Sequence, residues 1–205
     1  MAFGVSSRPP GMTIDHTAAA RRMAELVALV PDDALGDPTP CADYTVAALL
    51  DHVAFFADAF ARKGRKEADD PTAGPPPKGE ASHLPPDWRT SMPASLAALA
   101  DAWSRPEAWE GSSQAGGFDL PAEVVGLIAL EELVVHGWDL ARATGQPFEP
   151  SAADLEASEQ MLRQFTGGDA PSPDGPYGPA RPVEDTASPL DRVIALSGRD
   201  PAWRP

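Results

Sequence analysis

The sequence is poor in the residues that build disulfide frameworks and membrane spans. It contains one cysteine, Cys41, among 205 residues, so no disulfide can form within the chain. A single thiol is typical of a reducing compartment, and we expect the protein to be cytoplasmic. No uninterrupted apolar run approaches the ~20 residues that cross a bilayer, and the start of the chain, MAFGVSSRPPGM, lacks the basic and apolar parts of a signal peptide.

Positive charge is also scarce. Lys and Arg total 16 against 31 Asp and Glu, which leaves a net charge of −15 and an isoelectric point of about 4.5. Nucleic acids and anionic membranes are bound through basic surfaces, so we expect neither as a partner. We interpret the acidity as a solvated surface and expect a small molecule as the ligand.

Proline and glycine, by contrast, are abundant, with 24 and 17 residues. They concentrate between apolar segments and predict long Pro/Gly-rich loops. We predict a disordered leader at 1–12 and one helical-bundle domain at 13–205. Its core is expected at 13–166, followed by a wrapping C-terminal segment at 167–205.

The apolar residues repeat at three- and four-residue steps, the period of an amphipathic α-helix. The sequence shows no alternating strand pattern of useful length and no internal repeat. The predicted fold class is therefore all-α, a four-helix bundle with short C-terminal helices. The helices are expected at about 14–30, 46–63, 87–104, 121–145 and 152–166, with a short last helix from Ser188 to Gly198.

Turn and capping residues set the expected boundaries. Thr45 is a good N-cap for the second helix, and Gly145 a good stop for the fourth. Ser151 and Asp154 resemble a capping box for the fifth helix. The stretch RPEAWEGSSQAGGFDLP (105–121) is expected to be a loop.

Polar side chains share the apolar face of the fourth helix, in the stretch EELVVHGWDL (131–140). With Glu132 as the origin, His136 lies about 40° round the helix and Asp139 about 20° the other way. A buried carboxylate or imidazolium without a partner is costly, so packing does not account for them. A pair at i, i+4 can hold a divalent metal, and Asp139 could orient the His136 ring from behind.

His52 is the candidate for a third ligand, because it falls at the edge of the apolar stripe of the second helix. Bundles commonly build metal sites from side chains on facing helices. Two histidines and one glutamate leave one position open, which suits Zn²⁺, with Ni²⁺, Fe²⁺ and Mn²⁺ as alternatives. The residues alone also allow a hydrogen-bonded Glu132–His136 pair with His52 as a core histidine.

Other polar residues have simpler interpretations. His16 and His83 are expected at the surface. Cys41 is expected to be a buried, inert residue, and the alternative is a catalytic thiol. A basic cluster is interpreted as the charge pattern of a helix C-terminus, and the alternative is an anion clamp. It consists of Arg62, Lys63, Arg65 and Lys66.

Three motifs resemble those of a known family. TPCADYTVAALLDHV (39–53) resembles the start of the metal-binding helix in actinobacterial DinB-like proteins, and EELVVHGWDLARATGQP (131–147) resembles their second metal motif. SPLDRVIALSGRDPAW (188–203) resembles the tail of one branch known only as metal-binding. The sequence is similar to this family over most of residues 13–203. The wider superfamily includes mycothiol-dependent maleylpyruvate isomerase and the mycothiol and bacillithiol S-transferases.

The resemblance implies a DinB-like four-helix bundle with a divalent metal, often zinc, held by His52, Glu132 and His136. Many members have a third histidine where this sequence has Glu132, whereas the isomerase branch has Glu. The resemblance also implies a metal-dependent thiol S-transferase or isomerase-like enzyme of the mycothiol type, acting on a small electrophilic substrate with a low-molecular-weight thiol.

Two further functions fit the same three ligands. Metal-activated water would make the protein a hydrolase. A structural metal, or a pocket used only for binding, would make it a non-catalytic metal- or ligand-binding protein. A homodimer is compatible with such a bundle, although no stretch of the sequence specifies an interface.

Overall fold

The computed structural model describes residues 14–166 and 179–205. The predicted leader at 1–12, and residues 167–178 of the predicted wrapping segment, lie outside this part. Within it the chain forms six α-helices: α1 (Thr17–Ala28), α2 (Val46–Gly64), α3 (Trp88–Trp103), α4 (Ala122–Thr144), α5 (Ala152–Thr166) and α6 (Pro189–Leu196). None of the helices in these two ranges is at once long enough and apolar enough to cross a bilayer.

Helices α1 to α4 form a four-helix bundle. Both α3 and α4 pack against α1 and against α2, so α1 lies diagonally opposite α2 and α3 opposite α4. Their apolar stripes meet in one core, whose fully buried members include Met23, Leu49, Leu96, Leu99 and Leu130. Burial of each such side chain contributes about 1.5–3 kcal/mol, which makes this core the main source of stability. The predicted all-α bundle is confirmed.

Three predicted helix boundaries form as their residue types require. Thr45 caps α2, because its Oγ1 accepts a hydrogen bond from the Ala48 amide at 3.4 Å. Gly145 ends α4 with a φ of +67°, a left-handed backbone conformation that residues with a side chain rarely adopt. Ser151 and Asp154 form a reciprocal capping box, each accepting from the amide of the other at 3.1 and 3.2 Å.

The predicted loop at 105–121 contains a short β-hairpin. Strands β1 (Ser112–Ala115) and β2 (Phe118–Pro121) pair antiparallel, with Ala115 opposite Phe118. Gly116 and Gly117 make the two-residue turn with φ of +62° and +83°, as a primed turn requires. The expectation of a plain loop is wrong here, because four-residue strands are too short for an alternating pattern to be recognised.

The C-terminal segment returns to the bundle. α5 packs on α4, and α6 packs on α5. As predicted, Ser188 caps α6 by accepting from the Asp191 amide at 3.1 Å, and Gly198 ends it with a φ of +84°. Beyond α6, the carbonyl of Pro201 accepts from Nη2 of Arg142 at 3.2 Å, so the last residues lie against α4.

Candidate metal centre

His52 lies on α2, beside the buried stripe that includes Phe56, and exposes 12% of its side chain. Its ring packs between those of Tyr44 and Phe56, with centroids 5.4 and 5.8 Å away. Its Nδ1 is buried and has no hydrogen-bond partner among the residues that the structure describes. Ring packing and the contact of Nε2 with Glu132 Oε2 at 3.3 Å therefore hold this imidazole in place.

α4 brings three polar side chains to one face, as the helical period predicts. Helix α4 is buried on nearly all sides, because α1 and α2 cover one part of its surface and α5 covers another. Glu132 exposes 22% of its side chain and His136 9%, whereas Asp139 exposes none. Polar groups at such positions need partners inside the protein.

The two helices bring the three predicted ligands together. His52 Nε2 lies 3.3 Å from Glu132 Oε2, and His136 Nε2 lies 3.2 Å from the same oxygen. One ligand-type atom from each residue lies within 4.8 Å of the other two. The two imidazole rings meet edge to face with centroids 4.8 Å apart. Two imidazole nitrogens and one carboxylate oxygen thus converge on one small volume.

Opposing effects set the charges of this cluster. Burial by itself raises the pKa of Glu132, but hydrogen bonds with His136 and His52 outweigh it and hold the pKa well below its usual range. Burial by itself lowers the pKa of His136, but hydrogen bonds with Asp139 and Glu132 outweigh it and raise the pKa to about 9. At neutral pH, Glu132 is therefore a carboxylate and His136 an imidazolium.

Asp139 lies behind His136 and connects it to the C-terminal segment. Its Oδ2 accepts a hydrogen bond from His136 Nδ1 at 2.9 Å and another from Arg199 Nη2 at 3.0 Å. Burial raises the pKa of Asp139, but the charge of Arg199 and the bond from His136 hold it below its usual range. Sequence reasoning missed Arg199, because a buried aspartate only implies that some cation pairs with it, not which one.

A loop glycine lies close to His52. Gly79 is buried, and its amide donates to Tyr44 Oη at 3.4 Å. A Cβ at this position would lie 3.1 Å from His52 Cβ and would overlap the carbonyl oxygen of Ala48. The Pro-rich loop can approach α2 this closely only because residue 79 has no side chain.

Cys41 lies near the same ligand. One ligand-type atom each from Cys41, His136 and Asp139 falls within 4.8 Å of the others. The thiol is half-buried, and burial raises its pKa, which favours the inert interpretation over a catalytic thiol. The guanidinium of Arg199 bonds to Asp139 here, and its charge opposes a cation in this second group.

His16 is a core histidine, so the prediction of a surface position is wrong. It is 1% exposed, and its Nε2 donates to the carbonyl of Gly126 at 2.9 Å. The rings of Trp103 and Trp109 lie 6.0 and 5.7 Å away. The start of α1 packs against the start of α4, a contact that its sequence position does not reveal. His83, by contrast, is exposed as predicted.

The basic cluster at the end of α2 is paired with acidic and carbonyl groups. Lys63 Nζ lies 3.0 Å from Asp70 Oδ2, and Lys66 Nζ donates to the Glu110 carbonyl at 2.8 Å. The two arginines of the cluster bind Glu67. Because these groups already have local partners, and Arg62 and Lys63 lie in the last turn of α2, the structure favours the charge pattern of a helix C-terminus over an anion clamp. A cavity of about 670 Å³ beside the cluster is lined by Lys63 and Lys66 together with acidic and small residues, and its acidic members are Glu67, Asp69, Asp70 and Asp119.

Residues 16–141 match the model of the mycothiol maleylpyruvate isomerase N-terminal domain. The match includes all three predicted ligands and Asp139. Two uncharacterized proteins of Mycobacterium tuberculosis, one from strain CDC 1551 / Oshkosh and one from strain H37Rv, are each 26% identical over 188 residues. These residues make up 90% of this chain and 95% of each relative.

Two solved structures share the fold. The mycothiol-dependent maleylpyruvate isomerase is 20% identical, with a TM-score of 0.66 over 91% of this chain and 87% of that one. A variant of that enzyme, with one histidine replaced by alanine, is 18% identical, with a TM-score of 0.64 over 89% of this chain and 86% of that one. At these identities the likeness shows the fold alone, and it confirms the DinB-like bundle.

Proposed function

The chain belongs to the family of the mycothiol maleylpyruvate isomerase N-terminal domain, and we propose that it binds a divalent metal through His52, Glu132 and His136. The observation that carries this proposal is the convergence of one carboxylate oxygen and two imidazole nitrogens within 4.8 Å. Zinc is our first choice, because two nitrogens and one carboxylate form a common zinc ligand set. Nickel, iron and manganese accept the same ligands.

The observed separations fit this ligand set. Ligand atoms about 2.0–2.2 Å from a tetrahedral ion lie roughly 3.3 Å from one another. The two His Nε2 atoms lie 3.3 and 3.2 Å from Glu132 Oε2. Hydrogen bonds span the same distances, so the alternative of a hydrogen-bonded cluster requires a direct measurement of metal.

The chain itself would prepare the centre for a small ligand. Glu132 supplies one negative charge, and the rings of Tyr44 and Phe56 give the His52 side an apolar surround. Asp139 would orient His136 through the hydrogen bond at Nδ1. Glu132 exposes 22% of its side chain, so the cluster is in contact with solvent on this side.

We further propose that the protein is a thiol-dependent enzyme, an S-transferase or an isomerase-like enzyme that uses a low-molecular-weight thiol such as mycothiol. Its family membership supports a thiol, and three ligands leave one position open at a metal. A divalent cation held there supplies positive charge that favours a thiolate over a thiol. The chain would hold the thiol and a small electrophile in a fixed orientation beside that cation.

Metal analysis of protein purified without an affinity tag tests the metal centre. We expect about one equivalent of zinc or another divalent metal in the wild type and little in His52→Ala and His136→Ala. His83→Ala is the matched control, since His83 is exposed and lies outside the cluster. Equal, negligible metal in all four proteins would leave a hydrogen-bonded cluster as the better account.

A second measurement tests the chemistry. The metal-loaded protein is incubated with a small electrophile, with and without mycothiol, and product is followed with time. Product that forms only with mycothiol supports the thiol-dependent enzyme. Thiol-independent hydrolysis would instead favour metal-activated water, and a bound metal without turnover of either kind would favour a binding protein.

A further inference from the structure

We propose that Arg199 is a positioning residue for the His136 ligand, so that the C-terminal segment forms part of the metal centre. This inference rests on the proposed metal binding by His52, Glu132 and His136. Arg199 lies outside residues 16–141, the range matched by the family model. It is therefore a contribution from the part of the chain that follows the matched domain.

Two nitrogens of the Arg199 guanidinium bind the carboxylate of Asp139 in a forked arrangement. Its Nη2 donates to Asp139 Oδ2 at 3.0 Å, and its Nε lies 3.2 Å from both carboxylate oxygens. Asp139 exposes none of its side chain and Arg199 14%. A forked bond of this kind fixes the plane of the carboxylate as well as its position.

The carboxylate of Asp139 also fixes the orientation of the His136 ring. An ionised carboxylate only accepts hydrogen bonds, so His136 Nδ1 must carry the hydrogen in its 2.9 Å contact with Asp139 Oδ2. That leaves Nε2 as the ligating atom, and it points at Glu132 Oε2, 3.2 Å away. Arg199 therefore acts on His136 through Asp139, by holding the acceptor that fixes the ring.

The backbone supports this role by holding Arg199 at a rigid helix end. The Gly198 amide donates to the Ala195 carbonyl at 3.0 Å, and the Arg199 amide donates to the Ile194 carbonyl at 3.2 Å. These two bonds make up a Schellman motif, the helix C-terminus that a glycine in the left-handed conformation makes possible. Ile194 and Ala195 are buried, so α6 anchors the arginine before its side chain reaches Asp139.

The alternative is that the Arg199–Asp139 pair only attaches the C-terminal segment to the bundle. Arg192 on α6 offers the matched control, because it also attaches this segment without touching Asp139. Its Nε lies 3.5 Å from Glu159 Oε2 on α5, and its Nη1 donates to the Ala187 carbonyl at 2.8 Å.

The test is the zinc affinity of the full chain, measured by competition with a chromophoric chelator. We expect Arg199→Gln to weaken zinc binding by about tenfold, the lower end of the loss seen when partners of ligating histidines are removed. Arg192→Gln should bind zinc as the wild type does. In an Asp139→Asn background, Arg199→Gln should cause no further loss, because the acceptor through which it acts is already changed.

A readout without metal accompanies the affinities. The Nδ1 proton of His136 should give a slowly exchanging NMR resonance in the metal-free wild type, and Arg199→Gln should broaden or remove it while Arg192→Gln should not. If Arg199→Gln does not fold, Arg199→Lys tests the positioning role instead, because lysine keeps the charge and cannot form the forked bond to Asp139. A loss of at least about threefold in its zinc affinity supports the inference, and wild-type affinity overturns it.

The other results each overturn the inference. These are wild-type affinity in Arg199→Gln, equal losses in Arg199→Gln and Arg192→Gln, and losses that add fully to that of Asp139→Asn. In these three cases the wild type still binds zinc, so the proposed metal centre stands without the positioning role. A wild type that binds no divalent metal would overturn the metal centre and, with it, this inference.

Discussion

At the scale of single residues, His136 has two different neighbours on its two ring nitrogens. Nε2 faces Glu132, and Nδ1 faces Asp139. Both neighbours are carboxylates, and together they outweigh burial and raise the pKa of His136 to about 9. At neutral pH the ring therefore carries a second proton, on Nε2, and a metal ion must compete with that proton.

We predict that zinc binding releases about one proton at pH 7. His136 must lose its Nε2 proton to become a ligand, whereas Glu132 is already ionised because its pKa is held below its usual range. The apparent affinity should therefore increase with pH and level off near pH 9. Calorimetry in buffers of different ionisation enthalpy measures the released proton, and zero release at pH 7 would show that His136 is not a ligand or is not protonated beforehand.

A second prediction concerns His16 and the pH dependence of stability. Burial lowers the pKa of His16, and its hydrogen bonds to backbone carbonyls offset this only in part. The folded state therefore disfavours the proton that the unfolded chain takes up near pH 6.5. The contribution of His16 to the free energy of unfolding is therefore present above that pH and is lost as the pH falls below it.

Replacement of His16 should make the unfolding free energy depend less on pH. Urea unfolding between pH 7 and pH 5 should show a smaller fall in His16→Gln than in the wild type, although the variant is less stable at pH 7. His83→Gln is the control, because that side chain is exposed and should leave the pH dependence unchanged. Identical pH slopes in the wild type and His16→Gln would contradict the prediction.

At the scale of elements, the position of His52 depends on a contact between a loop and a helix. Gly79 lies against α2 where a Cβ would overlap the Ala48 carbonyl oxygen. We predict that Gly79→Ala lowers the free energy of unfolding by about 1–3 kcal/mol, the cost of overpacking, and weakens metal binding. Gly74→Ala in the same loop is the control, since a Cβ there has no neighbour within 4 Å. Urea unfolding with equal midpoints for both variants would show that the loop moves aside freely.

The helices themselves were largely predictable, because their signals are local. The cap at Thr45, the stop at Gly145 and the box of Ser151 and Asp154 each depend on residues within one turn. The placement of Glu132 and His136 on one face follows from the helical period in the same way. The β-hairpin at Ser112–Pro121 was not predictable, since its strands are short and its pairing is supported by the tertiary contacts of β1 and β2 with α4.

At the scale of the whole molecule, the proposed metal would link α2 to α4 across the bundle. Binding to the folded state alone stabilises it, by about 2.7 kcal/mol when free metal is a hundred times the Kd. In a chain of this size we therefore predict a rise in Tm of roughly 5–10 °C on addition of zinc. Calorimetry should show no such rise in His136→Ala and a full rise in His83→Ala. An equal rise in His136→Ala would place the stabilising zinc elsewhere.

The sequence by itself determined the helices, their ends and the face that carries Glu132, His136 and Asp139, because each depends on neighbours within a few positions. It also suggested His52, although from the residues alone that choice remained one among alternatives. Only the tertiary structure decided which groups meet: His52 with Glu132 across 80 positions, Arg199 with Asp139 across 60, and His16 with Gly126 across 110. Such pairings depend on how whole helices pack, and side-chain period and capping residues carry no information about the partner helix.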